Sequence, residues 1–272
     1  QKFQNMFREP KGLPPIRQTD HSITMIAGVT LVNIRPYKLA HYLKDVVEMQ
    51  ITEMLLSGMI QHNNNPYSSP IILVRKKDGN WRMCVDYRAL NKLTVPDRFP
   101  IPIIELLDQL HGARFFTKLD LKSGFHQIRV WEEDVCKTTF KTHEGHYEFL
   151  VMPFGLMNAP ATFQSTMNRV FKGVLRKYIL VFFDDILIYS RTWAEHQCHL
   201  ESAFQILEEN QLLVNRKKCF FAQKSVKYLR HIISYGGVSM DPKKVECVQG
   251  WPQPKTAKGV RGFLGLTRYY RK

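Results

Sequence analysis

The stretch Tyr178-Ile-Leu-Val-Phe-Phe-Asp-Asp-Ile-Leu-Ile-Tyr189 sets two adjacent carboxylates, Asp184 and Asp185, inside the most apolar segment of the chain. Burying one unpaired carboxylate costs several kcal/mol and neighbouring carboxylates repel, so such a pair persists where positive charge compensates it. The apolar runs on either side, rich in Ile, Val, Phe and Tyr, predict two short strands with the Asp pair at the turn between them. A carboxylate pair at a hairpin apex can cradle a divalent cation. A plain solvated turn is the simpler alternative, because Asp favours turns. The apolar density of the flanks weighs toward the cation.

A third acid belongs with the pair. Asp120 ends the hydrophobic run Phe115-Phe-Thr-Lys-Leu119 as Asp184 ends its own, and antiparallel pairing of the two strands would bring the acids together. Three carboxylates at strand ends can bind two magnesium ions about 4 Å apart, an arrangement suited to phosphoryl transfer. The same acids would also serve a nuclease or a phosphatase.

Composition narrows the partner. The chain has 272 residues, 39 Lys and Arg against 24 Asp and Glu, and a net charge of +15. Its cations are interleaved with Tyr, Phe and Trp, as a nucleic-acid groove requires. The five cysteines, Cys84, Cys136, Cys198, Cys219 and Cys247, are widely spaced and suggest no disulfide framework. His196, Cys198 and His199 cluster in sequence, but within a helix such neighbours diverge, so no zinc site is expected. No apolar run approaches the roughly 18 residues of a membrane span, and the N-terminus lacks a signal-peptide core, so an intracellular setting is the expectation. The chain reads as excised from something longer.

Residues 1–40 carry Pro10, Pro14, Pro15 and Pro36 and predict an extended arm. Val46, Met49, Leu56 and Ile60 recur at helical spacing and predict a helix buried along that face. Ile71 to Val74 and Trp81 to Tyr87 predict a hairpin turning at Asp78-Gly79. Its tip gathers Arg75, Lys76, Lys77 and Arg82, either as a charged edge against aggregation or as a polyphosphate clamp. Further strands are expected over Gln127 to Trp131 and His146 to Val151. Pro160 opens a helix carrying Phe163, Met167, Val170, Phe171 and Val174 on one face. Thr192 with Glu195 predicts a capping box. Strands near Lys227 to Ser234, a helix start at Asp241-Pro242 and a terminal helix complete an α+β pattern.

Four longer strings carry a family resemblance. Phe182-Phe-Asp-Asp185 with Ile-Leu-Ile-Tyr-Ser behind it, Lys118-Leu-Asp-Leu-Lys-Ser-Gly-Phe-His-Gln-Ile128, Tyr147 through Met-Pro-Phe-Gly-Leu-Met-Asn-Ala-Pro160, and Trp81-Arg-Met-Cys-Val-Asp-Tyr-Arg-Ala-Leu-Asn91 occur in order. Together with Tyr228-Leu-Arg-His-Ile-Ile-Ser234 and Trp251-Pro-Gln-Pro-Lys255, they resemble the reverse transcriptase of Ty3/gypsy-type LTR retrotransposons across nearly the whole chain.

The resemblance implies a right-hand polymerase: an arm over 1–40, fingers over 41–114, and a palm over 115–210 with an insert packing on the fingers around 132–160. The end of the palm, a primer-gripping hairpin and the start of a thumb or connection fall over 211–272. It implies an RNA-directed DNA polymerase that extends a primer 3′-hydroxyl with dNTPs on an RNA or DNA template. Asp120, Asp184 and Asp185 become the catalytic metal-binding triad for two Mg2+ ions, with Mn2+ as a substitute and Asp185 contributing more to geometry than to ligation. Lys76 and Arg82 grip the triphosphate, Phe125 is the aromatic gate under the sugar, and Phe154 and Gly155 line the nucleotide pocket. Tyr228, Leu229, Arg230 and His231 position the primer. Arg230 stands where the family usually has Gly, which the primer backbone would favour, although Arg could equally gain a phosphate contact, and Arg268 replaces a commonly small residue. RNase H and integrase regions are expected elsewhere in a parent polyprotein, and a virus-like particle in the cytoplasm is the family's setting. A nucleic-acid-binding remnant without catalysis is the alternative from another class.

Overall fold

The computed structural model describes residues 3–10, 12–28, 31–75, 79–97, 109–229, 231–240 and 242–270, excepting the side chains of 243, 244, 266 and 268–270. Helices and three sheets are mixed along the chain, as the α+β pattern predicts. Strands β7 (Ile179–Phe182), β8 (Asp185–Ser190), β4 (Phe115–Asp120) and β9 (Phe220–Gln223) form a four-stranded sheet in the order β7-β8-β4-β9. A five-stranded sheet, β1 (Ile60–His62), β6 (His146–Phe149), β5 (Phe140–Lys141), β2 (Ser69–Arg75) and β3 (Trp81–Val85), lies in that spatial order. Strands β10 (Ser225–Tyr228), β11 (His231–Ser234) and β12 (Gly237–Met240) make an antiparallel meander.

The four-stranded sheet has two different faces, and their difference creates the site. Alternation along β4 sends Leu119 to one face, where it joins Val181, Ile186 and Ile188 in a core with Phe163, Met167, Ala203 and Leu207. Those last four residues come from helices α3 (Ala159–Val170) and α4 (Trp193–Glu209). The other face carries Phe116, Leu180, Leu187 and Tyr189, which the meander covers with Val226, Tyr228 and Ile233. Continuing along that same face, Phe116 is followed by Lys118 and then Asp120, while Tyr189 and Leu187 on β8 are followed by Asp185. The charged end is where the apolar cover stops.

Local signals explain the helices. The Thr192 hydroxyl accepts from the Glu195 N–H at 3.3 Å and the Glu195 carboxylate accepts from the Thr192 N–H at 3.2 Å, closing the capping box of α4. Pro160 lies in the first turn of α3. Helices α1 (His41–Leu56), α2 (Arg88–Leu93), α5 (Pro242–Gln249) and α6 (Ala257–Tyr270) complete the longer elements.

Two expectations are corrected. Helix α1 buries Val47 and Ile51, whereas Met49 and Leu56 are 65% and 85% exposed, and Ile60 lies on β1. The apolar stripe through Val46 and Met49 faces a cleft, not the core. Gln127 to Trp131 is not a strand: Gly124–Gln127 is one 3-10 turn, and the rest holds only the bridges His21 to Val130 and Arg129 to Val151. The N-terminal arm is fastened to the body, since Arg17 donates to the carbonyls of Gln127 at 2.6 Å and Asn210 at 2.8 Å.

Candidate active site

Asp120 and Asp185 are cross-strand partners at the last step of the β4–β8 ladder. The β7–β8 hairpin closes with Phe182 opposite Asp185, so its apex is Phe183-Asp184 and Asp185 already belongs to β8. The sequence predicts both acids in the turn, and pairing with Phe182 draws Asp185 onto the strand. Phe183 takes a left-handed φ of 50°.

The three acids have different surroundings. Lys118, two residues before Asp120 on the same face, places its Nζ 2.8 Å from Asp185 Oδ1. Lys218 lies 3.6 Å from Asp120 Oδ1. Asp184 is exposed and makes no hydrogen bond or ion pair with a described residue. Desolvation raises the Asp120 carboxyl above its ordinary range; Asp184 and Asp185 add to this, against Lys218 and Lys118. Among the described residues, Glu48, His143 and Glu144 bring three ligand atoms within 4.8 Å of one another, and the aspartates are spaced more widely.

Asp184 stands between two clefts. One, of about 780 Å3, is lined by Asp120, Asp184, Lys218, Arg82, Phe154, Lys122 and Met49, so it runs from the acids to the β2–β3 hairpin. The other, of about 820 Å3, is lined by Asp184, Asp185, Lys118, Phe183, Lys227 and Leu229 and reaches the meander. His126 lines the first cleft, and burial lowers its pKa to about 4, with Arg82 adding to the effect.

The remaining predicted residues are brought to the same region in part. Phe125 stacks on Phe154 with ring centroids 5.0 Å apart and leans on Phe163 at 5.3 Å, so it stands behind the cleft wall. The Arg82 guanidinium lies 5.9 Å from the Phe154 ring. Gly155 has φ +100°, a conformation that favours glycine, and a Cβ there would meet the Val85 carbonyl at a tight 3.2 Å. Asn91 holds this loop by donating to the Gly155 carbonyl at 2.8 Å and accepting from the Met157 N–H at 2.9 Å. In the meander, Leu229 has φ 50° and lines the second cleft, while Tyr228 and His231 are buried. Among the described residues the Tyr228 hydroxyl has no hydrogen-bond partner, and its pKa is pushed far up by burial and by Asp185. Lys76, Lys77, Asp78, Arg230 and Asp241 lie outside the described residues, as does the side chain of Arg268. His196 and His199 both meet the Ser190 hydroxyl, at 2.9 and 2.8 Å, while Cys198 is exposed, so that cluster is a hydrogen-bond network.

Residues 74–233 match the family described as reverse transcriptase (RNA-dependent DNA polymerase). The chain is also 41% identical, over its whole length, to the Pol polyprotein from transposon 297 of Drosophila melanogaster, covering 26% of that protein. The chain belongs to the reverse transcriptase family. The Pol polyprotein from transposon gypsy of the same organism is 39% identical over 87% of the chain and 24% of its own length. The Tf2-3 transposon polyprotein of Schizosaccharomyces pombe is 37% identical over 95% of the chain and 19% of its own length. This reverse transcriptase chain thus spans about a quarter or less of the curated relatives it matches. Among solved structures, a foamy viral protease-reverse transcriptase in complex with double-stranded DNA superposes with a TM-score of 0.83 at 26% identity, covering 98% of this chain and 47% of that one. The same viral protein in complex with an RNA/DNA hybrid gives 0.81 at 25% identity, covering 98% and 36%. The right-hand polymerase fold expected from the sequence is therefore the fold found.

Sequence reasoning missed Lys218, which contacts Asp120, and Asn91 and Gln164, which hold the loop and the hairpin. Lys118 carried a legible signal, since a residue two before Asp120 on a strand shares its face. Among the described residues, no helix is long and apolar enough to cross a membrane.

Proposed function

We propose that this chain is the polymerase segment of a retrotransposon Pol polyprotein, extending a primer 3′-hydroxyl with dNTPs on an RNA or DNA template. The observation that supports this best is Asp120 paired with Asp185 beside Asp184, at the mouth of a cleft that also holds Arg82 and Phe154. In this reading 41–114 act as fingers, 115–210 as palm with the insert at 132–160, and 211–272 as the primer-gripping hairpin and the start of a thumb. RNase H and integrase regions lie elsewhere in the parent polyprotein, which works in cytoplasmic virus-like particles.

The donor set fits hard divalent cations. It offers carboxylate oxygens alone, with Asp184 unpartnered among the described residues, and a cation relieves the desolvation of Asp120 and the repulsion by Asp184 and Asp185 that raise it. Asp120 and Asp184 would hold Mg2+, or Mn2+ in its place, with Asp185 kept in position by Lys118. Bound there, two such ions supply Lewis acidity toward the primer hydroxyl and neutralise the departing pyrophosphate. Arg82 and Lys76 pair with the triphosphate. Phe125, stacked behind Phe154, backs the wall that would lie under the sugar and exclude a 2′-hydroxyl. Leu229 and its neighbours Tyr228, Arg230 and His231 seat the primer end against the second cleft.

Single-nucleotide addition to a primed RNA template tests this in the full-length protein. Incorporation by wild type and none by Asp184→Asn is the expected result. Primer-template binding with a steep salt dependence but no turnover in either would instead identify a binding remnant. Repeating the assay with Arg230→Gly measures what that departure from the family costs.

A further inference from the structure

We infer that Gln164 is a positioning residue for Asp184, an inference that rests on the proposed metal-binding role of the hairpin. Among the described residues Asp184 has no partner of its own, so its place is set by the backbone of the two-residue turn Phe183-Asp184. That turn is strained: Phe183 is a bulky residue at φ 50°, a conformation that costs a non-glycine residue about 1 kcal/mol or more. Something outside the turn has to hold it.

Gln164 on α3 is 3% exposed and reaches both the end of β7 and the turn that follows it. Its Oε1 accepts the Phe183 N–H at 2.8 Å, and its Nε2 donates to the Val181 carbonyl at 3.1 Å and to Asn168 Oδ1 at 2.9 Å. The amide cannot be turned over, because the opposite orientation would set donor against donor at Phe183 and acceptor against carbonyl at Val181. One buried side chain therefore fixes the turn from below. It also ties the turn to the helix whose Phe163 braces Phe125, so the acids and the wall of the nucleotide cleft share one support.

The test compares Gln164→Met, which keeps length and loses every hydrogen bond, with Gln164→Glu, which keeps the acceptor for Phe183 but loses the donor to Val181. Either carries the test if the other fails to fold. A misplaced ligand at this distance from the chemistry lowers kcat by about 10- to 100-fold. A higher Mg2+ requirement is expected with it, while the KM for dNTP and the primer-template affinity stay unchanged. Adding Phe183→Gly, which accepts the left-handed turn without strain, restores part of the loss. Wild-type kcat and Mg2+ dependence in a variant that only melts earlier would overturn the inference. Mn2+ binding followed by electron paramagnetic resonance separates the two claims. If wild type extends no primer beyond Asp184→Asn, the polymerase reading falls, and Gln164 is then decided by Mn2+ alone. Weaker Mn2+ binding by Gln164→Met supports the inference; equal binding, or none by wild type, overturns it.

Discussion

The Lys118 ammonium lies 2.8 Å from one oxygen of Asp185, across the ladder from the next residue but one on its own strand, Asp120. Asp185 is thereby matched by a protein cation, while Asp184, one residue earlier, is matched by none among the described residues. The pair that looks symmetric in sequence is asymmetric in the fold, because one member is on a paired strand and the other is at the apex. Lys118→Met should act through Asp185 and cost about 10- to 100-fold in single-nucleotide incorporation, the usual range for a group that orients a metal ligand. Asp184→Asn should cost more. Equal losses in a rapid-quench assay would show that the asymmetry has no catalytic meaning. Since the two side chains are only 20% and 27% exposed, Lys118→Met also leaves a part-buried carboxylate unpaired, so a lower melting temperature should accompany the loss.

Asp120 predicts a linkage between metal, pH and stability. Its pKa is raised by desolvation and by two neighbouring acids, so the fold holds its proton more tightly than the unfolded chain does. Its ionisation therefore destabilises the fold as pH rises from the unfolded carboxylate value through the raised one. Mg2+ should raise the melting temperature at pH 8 and much less at pH 4, where protons compete for the carboxylates. Asp120→Asn should melt higher than wild type in EDTA and gain little from Mg2+. Differential scanning fluorimetry across pH and metal would show it, and a metal-independent melting curve at pH 8 would count against the site.

How much of this is readable in the residues depends on whether a signal is local. The carboxylate hairpin, the strand ending in Asp120, the capping box at Thr192 and the helix start at Pro160 each follow from a few consecutive residues. The buried side of α1 does not, because Val46 and Met49 are apolar for the cleft that they line, and helical spacing alone cannot tell a cleft from a core. The 128–131 segment alternates like a strand, yet its hydrogen bonds go to single residues of the distant arm and of 150–152. The roles of Lys218 and Gln164 depend on how strands and helices far apart in sequence come together. No pattern within one segment announces them.

The run Asn63-Asn-Asn65, which is unusual in the sequence, has a structural account that yields a prediction. Glu148 is 8% exposed, and its carboxylate accepts from Gln61 at 2.7 Å, Asn63 at 3.1 Å and Asn65 at 2.9 Å. Amide donors thus replace a lysine or arginine as the partners of a buried charge. Asn65→Asp would remove a donor and set a second carboxylate against the first. A loss of about 3 kcal/mol is expected in urea unfolding, the usual cost of leaving a buried charge uncompensated. Asn64→Asp, for which no such contact is seen, serves as the control and should unfold like wild type.

Three histidines set the acid limit of the fold. His21, His126 and His196 each have a pKa lowered to about 4, in every case by burial first. His196 shows why the neutral form is held. Its Nε2 meets the Thr117 hydroxyl at 2.8 Å and its Nδ1 the Ser190 hydroxyl at 2.9 Å, while Thr117 already accepts from the Ala222 N–H at 3.0 Å. A second ring proton would force both nitrogens to donate and leave whichever hydroxyl donates to the neutral ring to find another acceptor for its hydrogen. Between pH 6.5 and about 4 the unfolded chain binds these protons and the fold does not. Stability is therefore complete above the unfolded histidine value and falls as pH drops, by up to about 1.4 kcal/mol per pH unit for each histidine. Urea denaturation at pH 7.5, 6, 5 and 4.5 should trace that slope. His196→Gln should unfold more readily at pH 7.5, having lost part of the network, yet show a shallower decline toward pH 4.5. An unchanged slope in that variant would mean that His196 is not among the groups that take up protons on acid unfolding.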